Sequence, residues 1–434
     1  MLRIYGRDMT TAAAPLRRHH DFRLLWVGQT LSELGTHVSS FVFPLVTYAL
    51  TGSTFLAGCV GAAHLLGLVA SLLPAGVLSD RVDGRLLMRS ASALGALGYA
   101  SLGLAAWWGH LTLTHLLVVA LAGGVAAGIF MPTETVAVRR VVERDQLPAA
   151  LSLNAGRQYA ASIVGGPLGG ALYGLARWLP FAADAVSYAV SWLLLGRLRA
   201  DLRPESTGEP RASIRRELRT GLGYVAAHPL FRTLAGWAFL ANLSMNALFT
   251  VAVLRLVADG VDPLHLGLVE TAAGVAGVLG AIVAPWLIER LPTGWLTIAV
   301  AWSPLPLALP MAWWGHPLVV ALGLGLVSVL NPAGNAGMTS YRLTVTPDEL
   351  VGRVQSSTQF VAMCSLPLAP VTAGTLLALL GGQGAMLAAG LLCAVTALVP
   401  TLSRGVRRVP RPVVWREAVA SREVDDGRVL TPST

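Results

Sequence analysis

Twelve apolar stretches, each about as long as a lipid bilayer's hydrocarbon core is thick, leave this 434-residue chain little choice of architecture. They run over 23–50, 54–79, 86–108, 112–131, 149–174, 180–196, 232–257, 264–288, 293–314, 317–338, 352–380 and 384–402. A helix needs roughly 20 apolar residues to cross that core. Backbone polar groups have no water there, so a spanning segment must satisfy its own hydrogen bonds as a helix. Charged residues make up 13% of the chain, against about 25% in soluble proteins. The expectation is an all-α integral membrane protein with twelve transmembrane helices.

The connections alternate in character. Those on one side are tiny, as at Thr51-Gly52-Ser53 and Gly315-His316, and those on the other carry the arginines, among them Arg81, Arg85, Arg89, Arg139, Arg140, Arg290, Arg342 and Arg353. Basic loops stay on the cytoplasmic side, so both termini are expected in the cytoplasm. The expected organisation is a six-helix bundle over 1–196, a linker loop over 197–231, a second six-helix bundle over 232–403 and a cytoplasmic tail over 404–434. The linker's later part reads as an amphipathic helix on the membrane surface. The net charge of +9 raises nucleic acid as a partner, but the arginines lie in short loops, where topology explains them better. Cys59, Cys364 and Cys393 sit in apolar runs and read as small core residues. No catalytic constellation, metal site or cofactor motif is evident. The expected partners are a small-molecule substrate, protons and membrane lipids, with no nucleic acid, and the chain is expected to act as a monomer.

The two halves echo one another 209 positions apart. His19, Phe22 and Arg23 fall on His228, Phe231 and Arg232, and Gly58, Ala75, Leu78, Asp80 and Arg81 fall on Gly267, Ala284, Leu287, Glu289 and Arg290. Internal repeats of this kind build transporters around a central site. The echo breaks where Glu33 falls on Asn242, His37 on Asn246 and Gly61 on Glu270.

Two six-helix halves joined by a charged loop resemble the major facilitator superfamily. Gly76-Val-Leu-Ser-Asp80-Arg81-Val-Asp83-Gly84-Arg85 is similar to that superfamily's loop signature, with Asp83 and Gly84 departing from it. The resemblance implies that Gly76, Asp80, Arg81 and Arg85 form a gating motif that locks one access state against the eleventh span. Phe22-Arg-Leu-Leu-Trp26-Val-Gly28-Gln29, Gln146 to Asn154, Phe181-Ala-Ala-Asp184-Ala-Val-Ser187 and Thr346 to Val354 are similar to the macrolide-efflux and enterobactin-exporter branch of drug:proton antiporters. This implies proton-coupled efflux of an antibiotic, siderophore or other secondary metabolite. Members of that branch often carry the span-one acid at the position of Thr36, whereas here it is Glu33. Ser162-x-x-x-Gly166-Pro167-x-x-Gly170 partly matches the antiporter motif of span five and implies a close-packed, kinked helix. The alternatives are an importer of a nutrient or metabolite, or a membrane sensor that does not transport.

Ionisable groups inside a membrane are costly and mark function by default. Glu33 lies ten residues past Arg23, about 15 Å along a helix and near the midplane. His37 shares its face, and His64 reaches a similar depth from the second stretch. A carboxylate with two imidazoles is a candidate proton relay, and a Glu–His bond that only fixes packing is the alternative. Asp184 is a candidate coupling acid or a favourable partner for its helix N-terminus. Glu270 is expected to bind a cation or to pair with Arg255. Arg157 must meet a carboxylate or a substrate anion, or reach the interface, and Glu134 is expected to pair with nearby arginines. Asn242 and Asn246 are candidates to hydrogen-bond substrate from the second half.

Overall fold

Glycine and proline decide where the apolar stretches start and stop being helix. A computed structural model describes residues 19–79, 81–143, 145–203 and 214–414, and every element among them is helical. The helices are α1 (His20–Thr51), α2 (Thr54–Ser79), α3 (Gly84–Trp107), α4 (Leu113–Val141), α5 (Leu147–Leu175), α6 (Leu179–Gly196), α7 (Ile214–Ala227), α8 (Pro229–Ala258), α9 (Pro263–Arg290), α10 (Thr293–Trp302), α11 (Pro304–Trp313), α12 (Pro317–Val345), α13 (Asp348–Met363), α14 (Leu368–Leu402) and α15 (Arg404–Arg407). Gly52 ends α1 at φ 65°, the left-handed cap that glycine adopts without a Cβ penalty. Thr112 and Asp262 begin α4 and α9 by accepting from the amides of His115 and Leu264.

Two expected stretches are broken. The ninth is two helices, because Pro304 has no amide hydrogen to donate across Ser303. The eleventh stops at Met363 and resumes at Leu368, after Pro367. Gly381, at φ 67° and ψ −179°, interrupts α14 between the eleventh and twelfth stretches. Among the described residues eight helical stretches are long and apolar enough to cross a membrane, with α10 and α11 counted together and likewise α13 and α14. α1, α3 and α5 have similar lengths but fall outside that set. α1 and α5 are the helices that carry Glu33 and Arg157. Leu97, Leu175, Leu322 and Leu379 are each more than 70% exposed, as residues facing lipid tails would be.

The core is continuous at one end of the molecule and divided at the other. At the end away from α7, one apolar cluster joins first-half residues such as Phe43, Val60 and Phe181 to second-half residues such as Leu248, Leu266 and Ala373. At the end near α7 the apolar clusters are separate. Leu25, Met88 and Leu195 form one from first-half residues, and Leu234, Met338 and Val406 form another from second-half residues. The two halves therefore share apolar packing at the far end and pack separately at the end that carries α7. α7 packs on α13, where Gly221 meets the Arg353 backbone and Val225 clusters with Phe231 and Val354.

At the α7 end, Asp21 ties α1 to the chain leaving α6. Its carboxylate accepts from the amide of Ala200 at 2.7 Å and from that of Arg199 at 3.2 Å. Partial burial opposes ionisation, but His20 and the two amides outweigh it and hold the carboxyl below its usual value. A lowered folded-state value adds stability above the unfolded value and loses it as pH falls through the folded one. Asp21→Asn is therefore expected to melt at a lower temperature than the parent at neutral pH. The two curves should converge as the pH drops below about 4 in a thermal-denaturation series.

Candidate functional site: a buried charge cluster and two cavities

Three helices of the first half bring their charged residues together. Arg157 of α5 places Nη2 3.1 Å from Glu33 Oε2 of α1 and 2.9 Å from Glu134 Oε1 of α4. The guanidinium is 1% exposed, Glu134 11% and Glu33 24%, so Glu33 is the member most open to its surroundings. Arg157 Nε and Nη1 are buried without a partner. Two carboxylates against one guanidinium leave one formal negative charge, and removing the guanidinium would strand both acids.

Beside this cluster is a cavity of about 180 Å³, lined among others by Glu33, His37, His64, Glu134, Gln158 and Tyr188. Among the described residues no direct hydrogen bond joins Glu33, His37 and His64, the expected relay. The three share the cavity, but Glu33 is engaged by Arg157 and His64 Nδ1 lies 3.2 Å from the Ala120 carbonyl. His37 packs its Cβ against Gly165 of α5. On its other side Arg157 borders an apolar groove of about 670 Å³ along α1 and α5, lined by Trp26, Thr30, Leu34 and Leu153.

Asp184 of α6 is fully buried against α1. Its Oδ1 accepts from Ser187 at 3.2 Å, and the carboxylate lies where a side chain on Gly35 would be. One turn further along α6, the Tyr188 hydroxyl meets Thr36 Oγ1 at 2.9 Å, with the Tyr99 ring stacked on it at 5.7 Å. Thr36 is the position where the resembling branch often carries its acid, so here a hydroxyl faces Tyr188 instead. Tyr188 was not singled out in the sequence. Its signal was its place one turn after Asp184 on the same face.

In the second half, Asn242 lines a cavity of about 110 Å³ with Trp237, Asn331 and Asn335. Asn246 is exposed and donates to the Asn242 carbonyl at 2.8 Å, outside that lining. Glu270 does not pair with Arg255. Its carboxylate lies against Gly166, on the seam between α5 and α9. Arg255 instead reaches Asp259 at 3.6 Å and donates Nη1 to the Met311 and Ala312 carbonyls at 2.6 and 3.1 Å. It thereby occupies acceptors that the end of α11 leaves open.

The span-five glycines serve this seam. Gly267 rests on Gly166 and Pro167, and Gly170 on the Pro263 carbonyl. A Cβ at Gly170 or Gly267 would collide with backbone, so the small residues allow two helices from different halves to touch. Of the loop signature, Asp80 lies outside the described residues. Gly76 is half-buried near the end of α2 and Arg81 is exposed. Arg85 donates Nη2 to the Ala200 carbonyl at 2.7 Å. The two departures from the signature have local roles: Asp83 caps α3 by accepting from the Arg85 amide, and Gly84 donates its amide to the Leu202 carbonyl.

A membrane-embedded helical chain with repeated halves, a charge cluster in its interior and cavities between its helices has the architecture of a small-molecule transporter. The chain belongs to the Major Facilitator Superfamily, whose family model matches residues 25–361. It is 26% identical over 361 residues to the multidrug efflux pump Tap of Mycolicibacterium fortuitum, covering 79% of this chain and 85% of Tap. It is 24% identical over 385 residues to the enterobactin exporter EntS of Shigella boydii, covering 86% and 87% of the two chains. Among solved structures, the nucleoside transporter NupG superposes with a TM-score of 0.72 at 11% identity, over 88% of this chain and 98% of NupG, a likeness of fold alone. The chain is thus a multi-pass membrane transporter.

Proposed function

We propose that the chain is a proton-coupled exporter of small lipophilic molecules that works by alternating access. The observation that carries this reading is the cluster of Glu33, Arg157 and Glu134. With both acids ionised it holds one uncompensated negative charge. One proton on Glu33, the acid most open to the 180 Å³ cavity, leaves a neutral Arg157–Glu134 pair. The cluster can therefore take up a single proton that neutralises it, and on release the remaining negative charge stays beside the Arg157 guanidinium. Asp184 and the two histidines are secondary candidates for that proton. Glu270, set on the α5–α9 seam between the halves, is the second-half candidate to meet substrate.

Export as the direction, and lipophilic substrates, draw support from the likeness to Tap and EntS. The rocking units in this reading are residues 1–196 and 232–403, joined by 197–231, with both termini and the tail in the cytoplasm. The arginine-bearing end with α7 is then the cytoplasmic one, and the core shared at the opposite end supports reading this conformation as inward-open. The test is efflux of a lipophilic dye from cells expressing the chain, with and without a protonophore. Efflux should stop when the proton gradient collapses at constant ATP, and efflux that continues unchanged rejects the coupling.

A further inference from the structure

The second-half cavity differs from everything around the charge cluster in one respect: it contains hydrogen-bonding groups and no charge. Trp237, Asn242, Asn331 and Asn335 supply its polar wall, and no Asp, Glu, Arg or His is among its lining residues. Part of that polarity is already committed. Asn242 Nδ2 donates to the Ala238 carbonyl at 2.8 Å, and Asn335 Nδ2 to Asn331 Oδ1 at 2.6 Å. Ser244 and Thr396 bond one another at 3.2 Å and their own helix carbonyls. What remains is specific. Trp237 Nε1 is buried with no acceptor, so it is a donor in want of one. Asn242 and Asn335 each keep an amide oxygen to accept with, and Asn331 keeps an amide nitrogen to donate with. A buried donor without a partner is costly, and a ligand with the matching group would offset that cost.

The cavity's neighbour supplies the rest of the argument. Met245 and Asn331 also line a larger cavity of about 410 Å³ between the halves, where Tyr159 and Ser162 of α5 face Phe249, Gly277 and Val327. That space suits the apolar body of a small ligand. The 110 Å³ pocket is somewhat smaller than the roughly 150 Å³ cavity that holds a benzene ring, so it admits a head group of a few heavy atoms. An ionised head group there would meet no opposite charge, at high cost within the membrane.

We propose that the pocket of Trp237, Asn242, Asn331 and Asn335 is a recognition subsite for a neutral head group that both donates and accepts hydrogen bonds, such as a carboxamide, on a molecule whose apolar body fills the adjoining cavity. This rests on the reading of the chain as a carrier of lipophilic molecules, and it assigns that carrier's selectivity to the second half while protons act in the first. A site built to hydrogen-bond its ligand rejects an analogue lacking those groups far more strongly than one lacking a methylene.

The test is equilibrium binding to the full chain in nanodiscs, corrected for partition into empty discs. The probes are 2-naphthaleneacetamide, its isosteric hydrocarbon 2-(2-methylallyl)naphthalene, and the charged 2-naphthaleneacetate. The unaltered protein should bind the amide at least about tenfold more tightly than either analogue. Trp237→Phe removes the N–H donor together with part of the indole ring, and Asn335→Leu removes the amide at nearly constant volume. Each should reduce the amide's advantage to within about threefold while leaving hydrocarbon affinity unchanged, which also shows that the fold survives. Equal binding of amide and hydrocarbon by the unaltered protein, no binding of the amide, or full amide preference retained in both variants would each overturn the assignment and leave a water-filled pocket. Binding does not depend on a proton gradient, so failure of the coupling reading would appear in the protonophore assay and leave this result untouched.

Discussion

Arg157→Met should abolish transport and cost the protein about 3–5 kcal/mol of stability, the usual loss when one partner of a buried ion pair is removed. Glu33 and Glu134 would then face one another with no cation between them. Methionine fills much of the arginine's aliphatic volume, so the loss reflects charge more than a cavity. The decisive comparison is the triple variant Arg157→Met, Glu33→Gln, Glu134→Gln, which buries no ion at all. Its melting temperature in detergent should return most of the way to that of the parent, because a neutral replacement of a buried charge network is often tolerated. Its transport should not return. If it transports normally, the cluster only holds α1, α4 and α5 together and plays no part in the cycle.

How much of this was readable beforehand differs between levels of structure. The helices were legible because lipid imposes one backbone solution on an apolar stretch, and the arginines marked their ends. The breaks at Pro304 and Pro367 were visible as prolines but were not given their weight, since proline is common inside membrane helices, as Pro167 of α5 and Pro285 of α9 show. Side-chain partners were legible only in kind. A guanidinium at position 157 had to meet a carboxylate or a substrate anion or reach the interface, and choosing among the acids at plausible depths needs the rotation of each helix. Glu33 was matched to histidines on its own and the adjacent helix because sequence spacing exposes such neighbours and hides one from α5. Glu270 was matched to Arg255 for the same reason, whereas Arg255 faces the open carbonyls ending α11. Gly166, Pro167 and Gly170 were recognised as a close-packing motif. That their partner is α9 became clear only from the backbone contacts at Gly267 and Pro263.

Glu33→Gln separates coupling from carriage. Glutamine keeps the size and hydrogen-bonding reach of the carboxyl and leaves the Arg157–Glu134 pair intact at 2.9 Å, so the variant should fold and melt close to the parent. It also fixes the cluster in the charge state that one bound proton would produce. Uphill efflux needs that proton to arrive and depart in every cycle, and a permanently neutral residue can do neither. In proteoliposomes carrying an imposed pH gradient, gradient-driven accumulation of a lipophilic substrate should fall at least about tenfold, the size of effect expected when a positioned acid–base group is lost. Exchange of labelled for unlabelled substrate across the same membrane, with no gradient, requires no net proton movement and should stay within about twofold of the parent. Loss of both activities together would make Glu33 a substrate ligand, and retention of both would remove it from the mechanism. Only loss of accumulation with exchange preserved fits a carboxylate whose role is to let the proton gradient bias which side the carrier opens to.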